Sequence, residues 1–107
     1  MEWASPGTDD LVLEKCHPTF FVGTGLESLL RAWSVDSLVL AGVATDHGID
    51  LTARHGLALG FTCVVASDAS GSFSAKAHEE GLRRLSETAE LLTVAEILAI
   101  WGDTDDL

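Results

Sequence analysis

Cations are scarce in this chain. Six lysines and arginines stand against 17 aspartates and glutamates, for a formal net charge of −11. Such a surface repels phosphate backbones and anionic lipid headgroups, so neither nucleic acid nor membrane is expected as a partner. Cysteine is nearly absent as well. Cys16 and Cys63 are too few for a disulfide framework and fit a reducing, cytoplasmic setting. No run is long enough for a transmembrane helix. The opening MEWASPGTDD lacks the basic and apolar regions of a secretory signal. Internal repeats and low-complexity tracts are missing. The four histidines, His17, His47, His55 and His78, show no ligand spacing, so neither a metal site nor a cofactor is expected.

What is present suits a folded domain. Hydrophobic residues make up 47% of the 107 and charged residues 21%, and the length implies a single domain over 1–107. Two kinds of segment alternate along it. Residues 10–15 (DLVLEK) form a short apolar run that reads as a strand. Residues 24–33 read as a helix, with Leu26, Leu29, Leu30 and Trp33 on one face. Residues 36–44 (DSLVLAGVA) are apolar throughout, as in a strand covered on both faces. Residues 46–59 read as a helix capped by Asp46 and stopped at Gly60. Residues 61–69, 74–89, 90–92 and 93–101 read in turn as strand, helix, strand and helix. Thr93 and Glu96 are spaced as a capping box in the last of these.

Strand followed by helix, four times over, predicts an α/β fold with a parallel sheet. Sites in such folds form beyond the carboxyl ends of the strands. The turns EKCHPTF, GVATDHG and ASDASGSF therefore hold the candidate residues.

Those turns carry a resemblance. The segment DLVLEKCHPTFFVGTGLESLLRAW resembles the catalytic-lysine segment of the isochorismatase-like hydrolase superfamily, which includes nicotinamidases and other cysteine hydrolases. LVLAGVAT resembles the strand leading to that family's nucleophile turn. DLTARHGLALGFTCVVASDAS and AHEEGLRRL with LLTVAEIL resemble the segments that follow, in the same order. The resemblance implies a Rossmann-like three-layer α/β/α fold. It implies catalytic roles for Lys15 and for the Gly48 position, with Ala44, Thr45, Asp46, His47 and Phe21 around the substrate. It also implies an oxyanion hole from backbone amides of the turn and a cis peptide before Ala44.

The chain departs from the family pattern twice. The nucleophilic cysteine of the cysteine hydrolases falls on Gly48, although isochorismatases, which cleave a vinyl ether, carry glycine there. The family's catalytic aspartate belongs to the first strand, ahead of the lysine. The chain thus resembles the C-terminal part of the domain, without the first two β-α units. In the family's strand order the missing first strand lies beside LVLAGVA, which would leave an unpaired edge. Either the lysine segment moves into that gap, or another chain fills it, as a homodimer or a hetero-complex.

Each candidate has a chemical and a plain reading. Lys15 can stabilise an oxyanion or hold a substrate carboxylate, or it is a solvated lysine. Gly48 offers helix N-terminal amides to an anion, or simply lets backbones approach. His47 is a base near neutral pH or a solvated histidine. Asp46 is a helix cap, and with Asp50 and Asp68 supplies the carboxylates closest to the expected site. Cys16 faces away from Lys15 along the strand, and Cys63 is a buried hydrophobe, so neither replaces the nucleophile. Three functions fit. The first is a hydrolase subunit acting on a small carbonyl, amide or vinyl-ether substrate, with its acid from a partner chain. The second is a non-catalytic binding or interaction protein, and the third a structural assembly subunit. A carboxylate able to reach Lys15 separates the first from the others.

Overall fold

The computed structural model describes residues 6–101. Its elements are helix α1 (Leu26–Ala32), strand β1 (Ser37–Val43), a π-helical turn (Thr45–Ile49) and helix α2 (Asp50–Ala58). Strand β2 (Thr62–Gly71), helix α3 (Ala75–Leu85), strand β3 (Glu90–Leu92) and helix α4 (Val94–Trp101) follow. The strands form a three-stranded parallel sheet in the order β1-β2-β3. This is the α/β architecture that the alternation of segments implies.

Alternation along the strands builds two faces. Cys63 and Val65 of β2 are buried with Ile49, Ala53 of α2 and Leu85 of α3, and Leu38, Leu40 and Leu91 pack against them. On the opposite face, Val39, Val64 and Leu92 line a shallow groove with Ile97, Ile100 and Trp101 of α4. A second cluster joins Phe21, Leu30 and Phe61, closing the lower end of the sheet under α1. None of the described helices is long and apolar enough to cross a membrane.

Helix ends follow local chemistry. Ser74 caps α3 by accepting the Ala77 amide at 3.1 Å. The Thr93–Glu96 box closes reciprocally, with Thr93 N to Glu96 Oε1 at 2.9 Å and Glu96 N to Thr93 Oγ1 at 3.1 Å. Gly60, at φ 95°, provides the left-handed stop after α2.

Two expectations are corrected. Residues 10–15 form no strand, and Leu11 and Val12 are 55% and 65% exposed. A strand needs a neighbour to satisfy its amides, and this segment does not enter the gap beside β1. Asp46 does not cap a helix. The chain enters the π-helical turn through Ala44, and the Asp46 carboxylate accepts from Ser72 Oγ instead. Strand β2 also runs two residues further than expected. The β1–β2 register shifts between Leu40 and Gly42, and Ser70 Oγ donates to the Ala66 carbonyl at 2.8 Å across the irregularity.

Candidate functional site

The turn after β1 is held from several sides. The Val43–Ala44 peptide is cis. The Ala44 carbonyl accepts from both the His47 and Ile49 amides, each at 3.1 Å. Thr45 is fully buried, and its hydroxyl hydrogen-bonds His78 Nδ1 at 2.8 Å. The Asp46 amide donates to Ser72 Oγ at 3.4 Å while its carboxylate accepts from the same hydroxyl. That bond, more than any other influence, lowers the Asp46 pKa, with the positive fields of His47 and Arg84 acting in the same direction. Gly81 of α3 lies so close that a Cβ there would stand 3.1 Å from the Asp46 backbone. Close helix-to-turn packing is what requires glycine at that position.

The lysine loop reaches the same place from the other side. Thr19 Oγ1 hydrogen-bonds His55 Nδ1 at 3.0 Å, and the Phe20 amide donates to Thr52 Oγ1 at 3.0 Å. Phe21 sits in the core against Phe61 and His55, with ring centroids 5.7 and 5.2 Å away. These three contacts fasten the loop to α2. Lys15 Nζ then donates to the Pro18 carbonyl at 3.1 Å and lies 3.5 Å from that of His17. A Cβ built on Gly48 would stand 3.4 Å from Lys15 Nζ and 3.3 Å from Pro18 O. Lysine and the side-chain-free position are therefore direct neighbours.

A cavity of about 420 Å³ opens beside them. Lys15, Gly48, Ile49, Thr52, Phe20 and residues 38–43 of β1 are among its lining. Phe20, not Phe21, faces this space. Ala44 and Thr45 do not line it, and Thr45 is occupied with His78. His47 is 69% exposed, its Nε2 3.8 Å from Asp46 Oδ2. Asp46, Asp50 and Asp68 are each engaged elsewhere. Asp50 pairs with Arg54 Nε at 3.1 Å, and Asp68 accepts the Val94 amide at 2.7 Å at the start of α4. Among the described residues none of the three pairs with Lys15, whose hydrogen bonds go to carbonyls. Among the described residues, no three His, Cys, Asp or Glu side chains cluster as a metal site would require.

The chain and its fold are similar to known proteins. A model of the isochorismatase domain matches residues 2–96. The chain belongs to the isochorismatase family. The family protein YecD of Escherichia coli O157:H7 is 39% identical over 79 residues, spanning 73% of this chain and 42% of YecD. An isochorismatase-like hydrolase from Alkaliphilus metalliredigens superimposes with a TM-score of 0.88 at 30% identity, over 91% of this chain and 53% of that one. The nicotinamidase SaPncA of Staphylococcus aureus superimposes with a TM-score of 0.70 at 33% identity, over 74% of this chain and 50% of its own. The chain thus spans about half the length of the family members it matches, or less.

Sequence reasoning missed the side chains that hold the isochorismatase turn in place. Ser72, His78 and Gly81 lie more than 20 residues from it in sequence. Ser72 lies in ASDASGSF, one of the turns singled out by the fold, but neither its place there nor the presence of His78 and Gly81 in the following helix specifies a partner. Thr52 and His55 share a face of α2 at i, i+3, and only the fold shows that this face receives the lysine loop.

Proposed function

We propose that this isochorismatase-family chain is a hydrolase component acting on a small amide, carbonyl or vinyl-ether substrate, with Lys15 and the Gly48 turn as its reaction centre. One observation carries the reading: Lys15 Nζ stands 3.4 Å from the point where a Gly48 side chain would begin. A substrate oxygen occupying that space would meet the Lys15 ammonium directly. Charge developing on the oxygen would then be stabilised without rearrangement of the site. Glycine leaves no nucleophile, so the attacking group is water rather than a side chain, and no covalent intermediate forms.

Water needs a base and the leaving group an acid. Asp46, Asp50 and Asp68 are committed to Ser72, Arg54 and the α4 terminus. The carboxylate accordingly comes from outside these residues, on a homodimeric or hetero-complex partner. The nicotinamidase relationship supports amides as substrates, and a glycine at the nucleophile position supports vinyl ethers. Two free thiols fit a cytoplasmic setting.

The same engagement of all three carboxylates favours a second reading, a non-catalytic family member that binds a small molecule or a protein at this turn. The test is hydrolysis of nicotinamide and of a vinyl-ether carboxylate, followed by NMR. The chain alone should be inactive or nearly so, and a complex that brings a carboxylate to Lys15 should turn over one of the two. A complex that binds either compound without converting it selects the second reading.

A further inference from the structure

We propose that His55 is the positioning residue of Lys15, acting through Thr19 and the Pro18 carbonyl, so that helix α2 sets the lysine against the very turn from which the helix grows. The proposal rests on the reading above in taking Lys15 as the reacting cation.

Lys15 is exposed, and among the described residues it forms no ion pair. A lysine stem carries many rotamers, so the place of its ammonium is decided by what accepts its protons. The acceptors are two consecutive carbonyls of its own loop, Pro18 O at 3.1 Å and His17 O at 3.5 Å. Pro18 O also lies 3.3 Å from where a Gly48 Cβ would stand. This carbonyl is therefore the joint between lysine and turn. It belongs to the peptide unit that Pro18 shares with Thr19, so whatever orients Thr19 orients the ammonium.

His55 orients Thr19. The Thr19 hydroxyl oxygen lies 3.0 Å from His55 Nδ1 and accepts the Phe21 amide at 3.3 Å. The single hydroxyl proton is left for Nδ1, which fits a neutral ring with its hydrogen on Nε2. Two further contacts restrict the loop. The Phe20 amide donates to Thr52 Oγ1 at 3.0 Å. The Phe21 ring lies 5.2 Å from the His55 ring, and a Cβ on Gly56 would come within 3.3 Å of it. Thr52, His55 and Gly56 stand at i, i+3 and i+4 on one face of α2. Helix α2 (Asp50–Ala58) continues directly from the turn Thr45–Ile49 that contains Gly48. One rigid helix thus carries the Gly48 position at its head and, two turns on, the ring that fixes the lysine loop. Of these anchors, His55 is the one that bonds the side chain of the residue sharing the Pro18 peptide.

The test reads the proximity of amine and thiol and needs no turnover. o-Phthalaldehyde joins a neighbouring amine and thiol into a fluorescent isoindole. In a chain carrying Gly48→Cys and Cys16→Ser it should link Lys15 to the introduced thiol, and peptide mass spectrometry locates the link. Adding His55→Ala should slow isoindole formation at least about tenfold. Thr19→Val should do the same, in chains whose circular dichroism is unchanged at the assay temperature. His55→Asn places an amide acceptor where Nδ1 stands and should return the rate to within about threefold of the parent. A role in stability alone would lower the melting temperature and leave the isoindole rate of the folded chain unchanged. That result in either the His55→Ala or the Thr19→Val chain overturns the proposal, as does a slow rate in folded His55→Asn or failure of the parent chain to form the link. In an active complex, His55→Ala should lower kcat at least about tenfold with KM little changed. Undiminished kcat there would overturn the proposal as well. Absence of hydrolysis by any complex would sink the proposed activity and leave the isoindole result, and the positioning, intact.

Discussion

Thr45 and His78, 33 residues apart in sequence, meet through a 2.8 Å hydrogen bond that ties the turn after β1 to α3. Thr45 is wholly buried, so its hydroxyl depends on this partner. Removing the ring by His78→Ala leaves a buried polar group unsatisfied, a loss of about 1–3 kcal/mol. Thr45→Val removes the other partner. Denaturant unfolding of the two single variants and the double should show a coupling of at least about 0.5 kcal/mol, as contacting residues do. Additive losses would mean that the bond contributes nothing to the fold.

Asp46 gives the fold a dependence on acid. Its pKa is lowered in the folded state, chiefly by the Ser72 hydroxyl. A depressed carboxylate contributes stability that is present above its unfolded value, 3.8, and is lost as pH falls through the folded one. The melting temperature should therefore fall as pH drops below about 4. Asp46→Asn and Ser72→Ala should each flatten that acid limb, as measured by thermal melts between pH 2 and pH 7. An unchanged limb in both variants would refute the role of this pair.

Two glycines are held by close contacts rather than by dihedral need. A Cβ at Gly56 would lie 2.9 Å from Cys63 Sγ and 3.3 Å from the Phe21 ring, and one at Gly81 would meet the Asp46 backbone at 3.1 Å. Gly56→Ala and Gly81→Ala should each cost about 1–3 kcal/mol in urea unfolding, the usual penalty of overpacking. Gly48→Ala meets only Pro18 O and the flexible end of Lys15, at 3.3 and 3.4 Å, and lies in helical geometry. It should fall within about 1 kcal/mol of the parent.

Much of this fold is legible in the sequence because period and capping are local. The run LVLAGV, the Thr93–Glu96 box and the Gly60 stop need no knowledge of distant residues. The failures have a common cause. Residues 10–15 have the composition of a strand, but a strand exists only when a neighbour accepts its amides, and composition does not specify that neighbour. Asp46 has the spacing of a cap, but Ser72, 26 residues away, competes for its carboxylate and wins. Within the candidate site, Lys15 and Gly48 were legible as a pair through family resemblance. Their separation, and the fastening of the loop by Thr19–His55 and Thr52, required the fold.

The two thiols differ in environment. Cys16 is exposed, while Cys63 is buried and burial pushes its pKa up. Iodoacetamide should label Cys16 at least tenfold faster than Cys63 in the folded chain, and labelling Cys16 should leave any turnover intact. Gly48→Cys should create a third reactive thiol beside Lys15 without amidase activity in the isolated chain, since no free carboxylate is there to move the proton. Thiol-dependent hydrolysis of nicotinamide by that variant would show that the chain holds a complete site.

The central claim is that Lys15 beside Gly48 forms the reaction centre, and it is tested most directly by Lys15→Met in the assembled complex. Turnover of the accepted substrate, followed by NMR, should fall at least 100-fold in kcat, about 2.7 kcal/mol of lost transition-state stabilisation. Melting temperature and complex formation should be unchanged, because the Nζ hydrogen bonds are exposed. Undiminished turnover in a folded, assembled Lys15→Met protein would contradict the account.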